Sequence, residues 1–196
     1  MIRMETLRMD NQLYTGELVR LAANDPNADA RTMQEWHRDT EFFRLGYGRI
    51  AQPWSLERVK QRIERIGDEP DEPVFAIRTL ADDKLIGQLG LWVERPHGEG
   101  FVWILIGERA YWNKGYGTDA MRVLLRYAFQ ELNLHRVSLR VFAFNARAIR
   151  SYEKVGFKPE GHLRHALNRM GQRWDEVWMG ILRREWQASA AAPPTQ

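Results

Sequence analysis

Between Gly100 and Gly107 the chain runs through six apolar residues without a break, Phe101 to Ile106 (FVWILI). Such a run fits a central strand covered on both faces, because a half-exposed strand would alternate apolar with polar residues. The segment that follows is as restrictive. The loop Tyr111-Trp112-Asn113-Lys114-Gly115-Tyr116-Gly117-Thr118 leads into a stretch whose apolar residues at 121, 124, 125, 128, 129 and 132 form a helical stripe. A buried strand, a glycine-bearing turn and a long helix folded back on that strand make an α/β layer, and the rest of the chain must be built around it.

The flanking sequence supplies the other elements. Glu17 to Leu21 is expected as a short first strand. Asp25-Pro26 reads as an N-cap with proline at the first helical position, opening a helix to about Arg38. Ser55 caps a second helix, with Leu56, Val59, Ile63 and Ile66 at helical spacing and Gly67 as its stop. The aromatic stretch between them, holding Phe42, Phe43, Tyr47 and Trp54, is predicted to be irregular. Residues 74–80 and 84–93 form a hairpin turning at Asp82-Asp83. After the long helix, predicted over 117–132, come a strand at 136–142, a helix at 146–155 stopped by Gly156, and a hairpin of 162–167 with 173–182 turning near Met170-Gly171. Residues 1–187 are predicted to form one domain. The small, uncharged, proline-bearing stretch 188–196 (ASAAAPPTQ) reads as a disordered tail.

Composition narrows the chemistry. With no cysteine, disulfides, thiolate nucleophiles and cysteine-based zinc sites are excluded. The 29 basic and 26 acidic residues leave a net charge of +3 without any dense Lys/Arg block, so nucleic acid is not an expected partner. No apolar h-region opens the chain and no run of about 18 apolar residues occurs, so no membrane partner is expected and the cytoplasm is the default location. Of the five histidines only His162 and His165 are close, and odd spacing on a strand sends them to opposite faces, so no metal site is expected.

The loop is where a ligand is expected. Two glycines let the backbone turn sharply and approach a bound group, and the helix that follows offers unpaired N–H groups to an anion, a pyrophosphate above all. It is not a Walker A loop, since Lys114 is followed by Gly115, and it lacks the third glycine of a dinucleotide fingerprint. A glycine pair there also serves a plain strand-to-helix turn. The wider pattern decides. YWNKGYGTDA, a helix, and then HRVSLRVFAFNARAIRSYEKVGF closely resemble the two core motifs of the GNAT acetyltransferase superfamily, in the branch of ribosomal-protein N-terminal and polyamine acetyltransferases. The resemblance is specific over residues 101–160 and extends at fold level over about 17–186. It implies a GNAT fold: an α/β domain with a mostly antiparallel sheet of about seven strands flanked by about four helices.

That resemblance also implies an activity and a set of roles. The activity is N-acetyl transfer from acetyl-CoA, with no metal, to a small-molecule amine or a protein N-terminal amine; a homo-oligomer is left open. Trp112, Asn113, Lys114, Gly115, Tyr116, Gly117 and Thr118 would hold the CoA pyrophosphate through main-chain amides, although the family usually begins this loop with Gln or Arg where Trp112 stands. Leu105 and Ile106 would offer main-chain N–H groups to the tetrahedral oxyanion. Asn145 would bond the pantetheine arm, besides being a good N-cap; apart from the resemblance, Arg147, by its place on a motif helix, either lies solvated like Arg122, Arg126 and Arg150 or reaches a CoA phosphate. Tyr152 stands where many members carry a tyrosine general acid. A phenol, with a reference pKa of about 10, suits protonation of a departing thiolate; packing against Ile149 and Val155 is the plainer use of the same ring. Without cysteine, direct attack by the amine is favoured over an acyl-cysteine intermediate. Relatives often place a Glu early in the fourth strand, whereas this chain is apolar near Phe101, leaving Glu108, Glu35 or a water chain as the base. Asp175, in phase with Val177, Met179 and Ile181, either bonds loop amides or receives a cationic amine. Trp174 and Trp178, which share one strand face, line either an acceptor pocket or the core. A catalytically silent acyl-CoA sensor on the same fold is the second reading, against which Tyr152 argues and for which the missing Glu of the fourth strand argues.

Overall fold

The computed structural model describes residues 12–66 and 69–191. Among these residues seven strands form one sheet: β1 (Val19–Ala22), β2 (Val74–Thr79), β3 (Leu85–Glu94), β4 (Glu99–Ile106), β5 (Arg136–Phe142), β6 (Lys158–Arg169) and β7 (Gln172–Leu182). They lie in the order β1-β2-β3-β4-β5-β7-β6, antiparallel everywhere except between β4 and β5. The helices are α1 (Pro26–Trp36), α2 (Thr40–Gly46), α3 (Leu56–Arg65), α4 (Tyr116–Arg126), α5 (Ala146–Val155) and α6 (Arg183–Ala191). Both faces of the sheet are used. On one, Leu89, Leu91, Val102, Val137, Leu139 and Met179 bury against Met121, Leu124 and Leu125 of α4. On the other, Ala76 and Leu85 pack with Met33 and Trp36 of α1, Phe42 of α2, and Val59 and Ile63 of α3. Fully burying such a side chain is worth about 1.5–3 kcal/mol.

Local chemistry explains most boundaries. Asp25 accepts from the amides of Asn27 and Ala28 ahead of α1, Ser55 from that of Arg58 ahead of α3, and Asn145 from that of Ala148 ahead of α5. Gly156 ends α5 with φ +106°, a left-handed position that glycine takes without steric cost. The stop assigned to Gly67 falls outside the described residues. Residues 188–191 of the expected tail close α6, and 192–196 lie outside the described residues.

Three further expectations change. The stretch predicted as irregular contains α2, capped by Asp39 on the amides of Glu41 and Phe42 and anchored by buried Phe42 and Phe43. Seven residues are too few to display a helical period, so only the cap could have signalled it. The long helix keeps its α form to Arg126 and then widens into a π-turn over Tyr127–Glu131, where Leu132 N–H reaches the Tyr127 carbonyl at 3.1 Å. Finally, β4 is central but is not covered on both faces. Val102 is buried, while Phe101, Trp103 and Leu105, on the opposite face, are half-buried along a cleft. An all-apolar strand can be apolar for a ligand as well as for a core.

Candidate active site

The parallel ladder between β4 and β5 is three residue pairs long: Glu99 with Arg136, Gly100 with Val137, and Phe101 with Ser138. Beyond it the strands part, and the gap opens a cleft of about 1320 Å³ walled by β4, β5, α2, α3, α5 and the loop before α4. Pockets for a single small ligand run about 300–1,000 Å³, so two substrates fit together. Hydrogen-bond direction alternates along β4. Gly107 N–H donates to the Ile86 carbonyl on β3, so the Leu105 amide two residues back also points to β3, whereas Ile106 turns its amide and carbonyl to the parted side. Of the two amides proposed from sequence, Ile106 alone therefore faces the gap.

The start of α4 differs from those of α1, α2, α3 and α5, each of which is closed by a side chain. Its N-cap is Gly115, at φ +89°, and no side chain accepts from the first turn. Unpaired N–H groups at a helix N-terminus suit an anion. Asn113, Gly115, Gly117 and Thr118 line the cleft there, and Thr118 Oγ1 meets Ser151 Oγ of α5 at 2.7 Å. Lys114 and Tyr116 are not brought into the cleft wall. Lys114 is exposed, and Tyr116 packs edge-on against Tyr111 with ring centroids 4.8 Å apart. A loop that alternates its direction through left-handed Asn113 and Gly115 presents only part of itself to one side.

Trp112, the unusual residue of the loop, has two attachments. Its indole N–H donates to the Ile106 carbonyl at 2.8 Å, and the Arg147 guanidinium lies 3.9 Å from its ring. Trp112 thereby fixes both the parted end of β4 and a cation on α5. Asn145, buried at the head of α5, also donates from Nδ2 to the Leu45 carbonyl at 3.4 Å, tying α5 to α2. Leu105, Trp112, Asn145, Arg147 and Tyr152 all line the cleft. Burial pushes the Tyr152 phenol up to about 12, against a downward pull from the Arg147 charge. A phenol held this high stays protonated across the physiological range.

Other candidates are placed elsewhere. Glu108 accepts from Trp36 Nε1 at 3.0 Å and pairs with Lys84 at 3.1 Å, off the cleft wall, and Glu35 is exposed on α1. Asp175 accepts the His165 amide at 2.8 Å, which settles its use as a loop-bonding carboxylate where β6 loses register between Leu163 and Leu167. Trp178 packs edge-on with Phe101, and Trp174 with Phe144. Glu176, between them on the same strand face, lines the cleft instead. It was missed although the two tryptophans had marked its face.

His37 packs under this wall, stacked on Trp54 at 4.2 Å with its Nδ1–H donating to the Met33 carbonyl at 2.7 Å. Nε2 is buried without a partner among the described residues, and burial lowers the ring below its ordinary 6.5. The unfolded chain therefore takes up this proton first, so stability is full above pH 6.5 and falls as pH drops from there toward the depressed folded value. Urea unfolding at pH 7.5 and at pH 5.5 should show that loss, and His37→Leu should flatten it; an equal loss in the variant would assign the slope to other groups.

Comparison with known proteins identifies the family and the fold. Residues 20–158 match the family model described as an acetyltransferase (GNAT) domain. The chain is 36% identical over 123 residues to the uncharacterized N-acetyltransferase YnaD of Bacillus subtilis (strain 168), covering 61% of this chain and 69% of that one. It is 35% identical over 83 residues to the spermidine N(1)-acetyltransferase of Escherichia coli (strain K12), covering 42% and 45%. In fold it is similar to the crystal structure of spermidine N-acetyltransferase from Vibrio cholerae in complex with CoA and spermine, with a TM-score of 0.77 at 24% identity over 86% of this chain and 98% of that one.

Proposed function

Since this chain belongs to the GNAT acetyltransferase family and is an acetyl-CoA-dependent N-acetyltransferase, we propose that it passes the acetyl group directly to a primary amine within the β4–β5 cleft. The observation that carries this is the convergence, where β4 and β5 part, of an uncapped helix N-terminus and a protonated phenol. The first-turn amides of α4 receive the CoA pyrophosphate, with Arg147 beside them. The amine nitrogen attacks the thioester carbon, and the Ile106 amide faces the oxygen that gains charge. As the C–S bond breaks, Tyr152 gives its proton to the sulfur. With Glu108 and Glu35 off the wall, the proton that the ammonium must lose leaves through water or through Glu176, the carboxylate that does line the cleft. Relatives acting on spermidine make polyamines natural acceptors to test.

Thiol release from acetyl-CoA across an amine panel, with the products weighed by mass spectrometry, tests the activity; silence towards every amine despite CoA binding would favour an acyl-CoA sensor. Gly117→Val tests the seat. A Cβ there meets only Ile106 Cγ1 at 3.5 Å, an ordinary contact, whereas any side chain at Gly115 is strained by its φ. Added bulk beside the amides should weaken CoA binding at least tenfold, about 1.4 kcal/mol. Unchanged affinity by calorimetry, in a folded variant, would move the pyrophosphate elsewhere.

A further inference from the structure

The charged side chains on the cleft wall are sharply unequal. Among the described residues, seven cations, Arg49, Arg58, Arg62, Arg140, Arg147, Arg150 and Lys154, share the wall with a single carboxylate, Glu176. Arg147, Arg150 and Lys154 belong to α5, the helix joined to the first turn of α4, and the phosphates of CoA account for them. The other four come from elsewhere: Arg58 and Arg62 from α3, Arg49 from the segment after α2, and Arg140 from β5. Arg140 approaches Glu176 at 3.5 Å, but none of the eleven ion pairs formed among the described residues involves Arg49, Arg58 or Arg62. These arginines are not merely waving in solvent. Arg58 stacks 4.4 Å above the Trp54 ring and Arg62 lies 5.7 Å from it, and Trp54 is itself part of the wall. Stacking leaves a guanidinium edge, with its N–H donors, available to an incoming anion.

We propose that the acceptor is an amine that also carries an anionic group, a carboxylate or phosphate, held by Arg58 and Arg62 with Arg49, while its ammonium end is drawn to Glu176. The proposal rests on the acetyl-transfer reading above and names the substrate class for the same cleft. One carboxylate suffices for one ammonium. A polyamine brings further ammonium groups, and these would stand against unpaired arginines in a cleft whose walls concentrate the field. The aromatic residues Trp92, Phe101 and Trp103, which also line the cleft, would cover the apolar stem of such an acceptor.

Three amines of equal chain length isolate the effect: aminocaproate, hexylamine and diaminohexane, which end in an anion, a methyl and a cation. The expected order of kcat/KM is aminocaproate, hexylamine, diaminohexane, with at least about tenfold between the extremes, shrinking as salt is raised. The double variant Arg58→Glu with Arg62→Glu should reverse the order. Both sites are exposed, and a Glu three residues after Ser55 completes a capping box, so the helix tolerates the change. Tetrapeptides with acidic or basic residues after the N-terminus separate the two sources of such an acceptor: acidic peptides outrunning aminocaproate point to protein N-termini, and the reverse to a small metabolite. Equal turnover of all three amines, preference for the diamine, or an order untouched by the double variant would overturn the proposal. If no amine is acetylated, the acetyl-transfer reading fails, and this one is decided by calorimetry on CoA-saturated protein. Tighter binding of aminocaproate than of diaminohexane, lost in the double variant, upholds it, and the opposite sinks it.

Discussion

Tyr152→Phe is expected to lower kcat about a hundred- to ten-thousand-fold, or about 3–5 kcal/mol, with CoA affinity nearly unchanged. Only the hydroxyl is removed. The ring keeps its place beside Phe157, with centroids 6.1 Å apart, so the fold has little reason to respond. The lost interaction matters when the sulfur departs, so kcat and kcat/KM should fall together. A donor with a more acidic leaving thiol needs less help and should show a smaller loss. The pH profile adds a second readout: with the phenol pushed up to about 12, the competent protonated form persists below that value, so Tyr152 should produce no alkaline decline through pH 10. A Phe variant turning over at the parent rate, with chemistry rate-limiting, would remove Tyr152 from the mechanism.

Asp119→Ala should cost about 3 kcal/mol or more of stability, the largest effect expected from one side chain outside the apolar core. Its carboxylate is buried in the first turn of α4 and accepts three amides across the fold: Glu17 at 3.1 Å, Leu18 at 2.8 Å and Val19 at 3.0 Å. Alanine would strand these donors at the head of β1. Gly16 lets the strand come this close, because a Cβ there would overlap the carboxylate. Since the same turn carries Gly117 and Thr118, CoA binding should weaken as well. Urea unfolding that shifts by less than about 1 kcal/mol would mean that water replaces the carboxylate.

What the residues disclose before folding depends on how far apart the cause and its effect lie in the chain. The caps of α1, α3 and α5, the left-handed Gly156 and the turn at Met170-Gly171 are written in neighbouring residues, and the structure places them where the sequence does. The loop before α4 was likewise legible, though not which of its residues would face inward. Asp119 was not, since its partners lie about a hundred positions upstream. Nor was the acceptor side of the cleft. Arg58 and Arg62 look like the solvated face of an amphipathic helix, and only the fold sets them beside Trp54 and on the same cleft wall as Glu176. Glu108 shows the converse, a carboxylate close to the motif that Trp36 and Lys84 hold elsewhere.

The short β4–β5 ladder has a mechanical meaning. Strands β1 to β4 form one plate and β5, β7 and β6 another, stitched by a seam three residue pairs long. The packing of α4 on both plates joins them from one face, and ties such as Asn145 to Leu45, Arg169 to the Tyr47 and Arg49 carbonyls, and Thr118 to Ser151 add stitches across the opening. A ligand gripped by α4 on one side and by α5 on the other works as a rivet through both plates. At a hundred times its dissociation constant, such a rivet adds about 2.7 kcal/mol to the resistance against unfolding. The molecule would then be at its most robust while loaded with acetyl-CoA and at its most yielding just after product leaves, so the supply of the acyl donor would set how long each copy lasts as well as how fast it works.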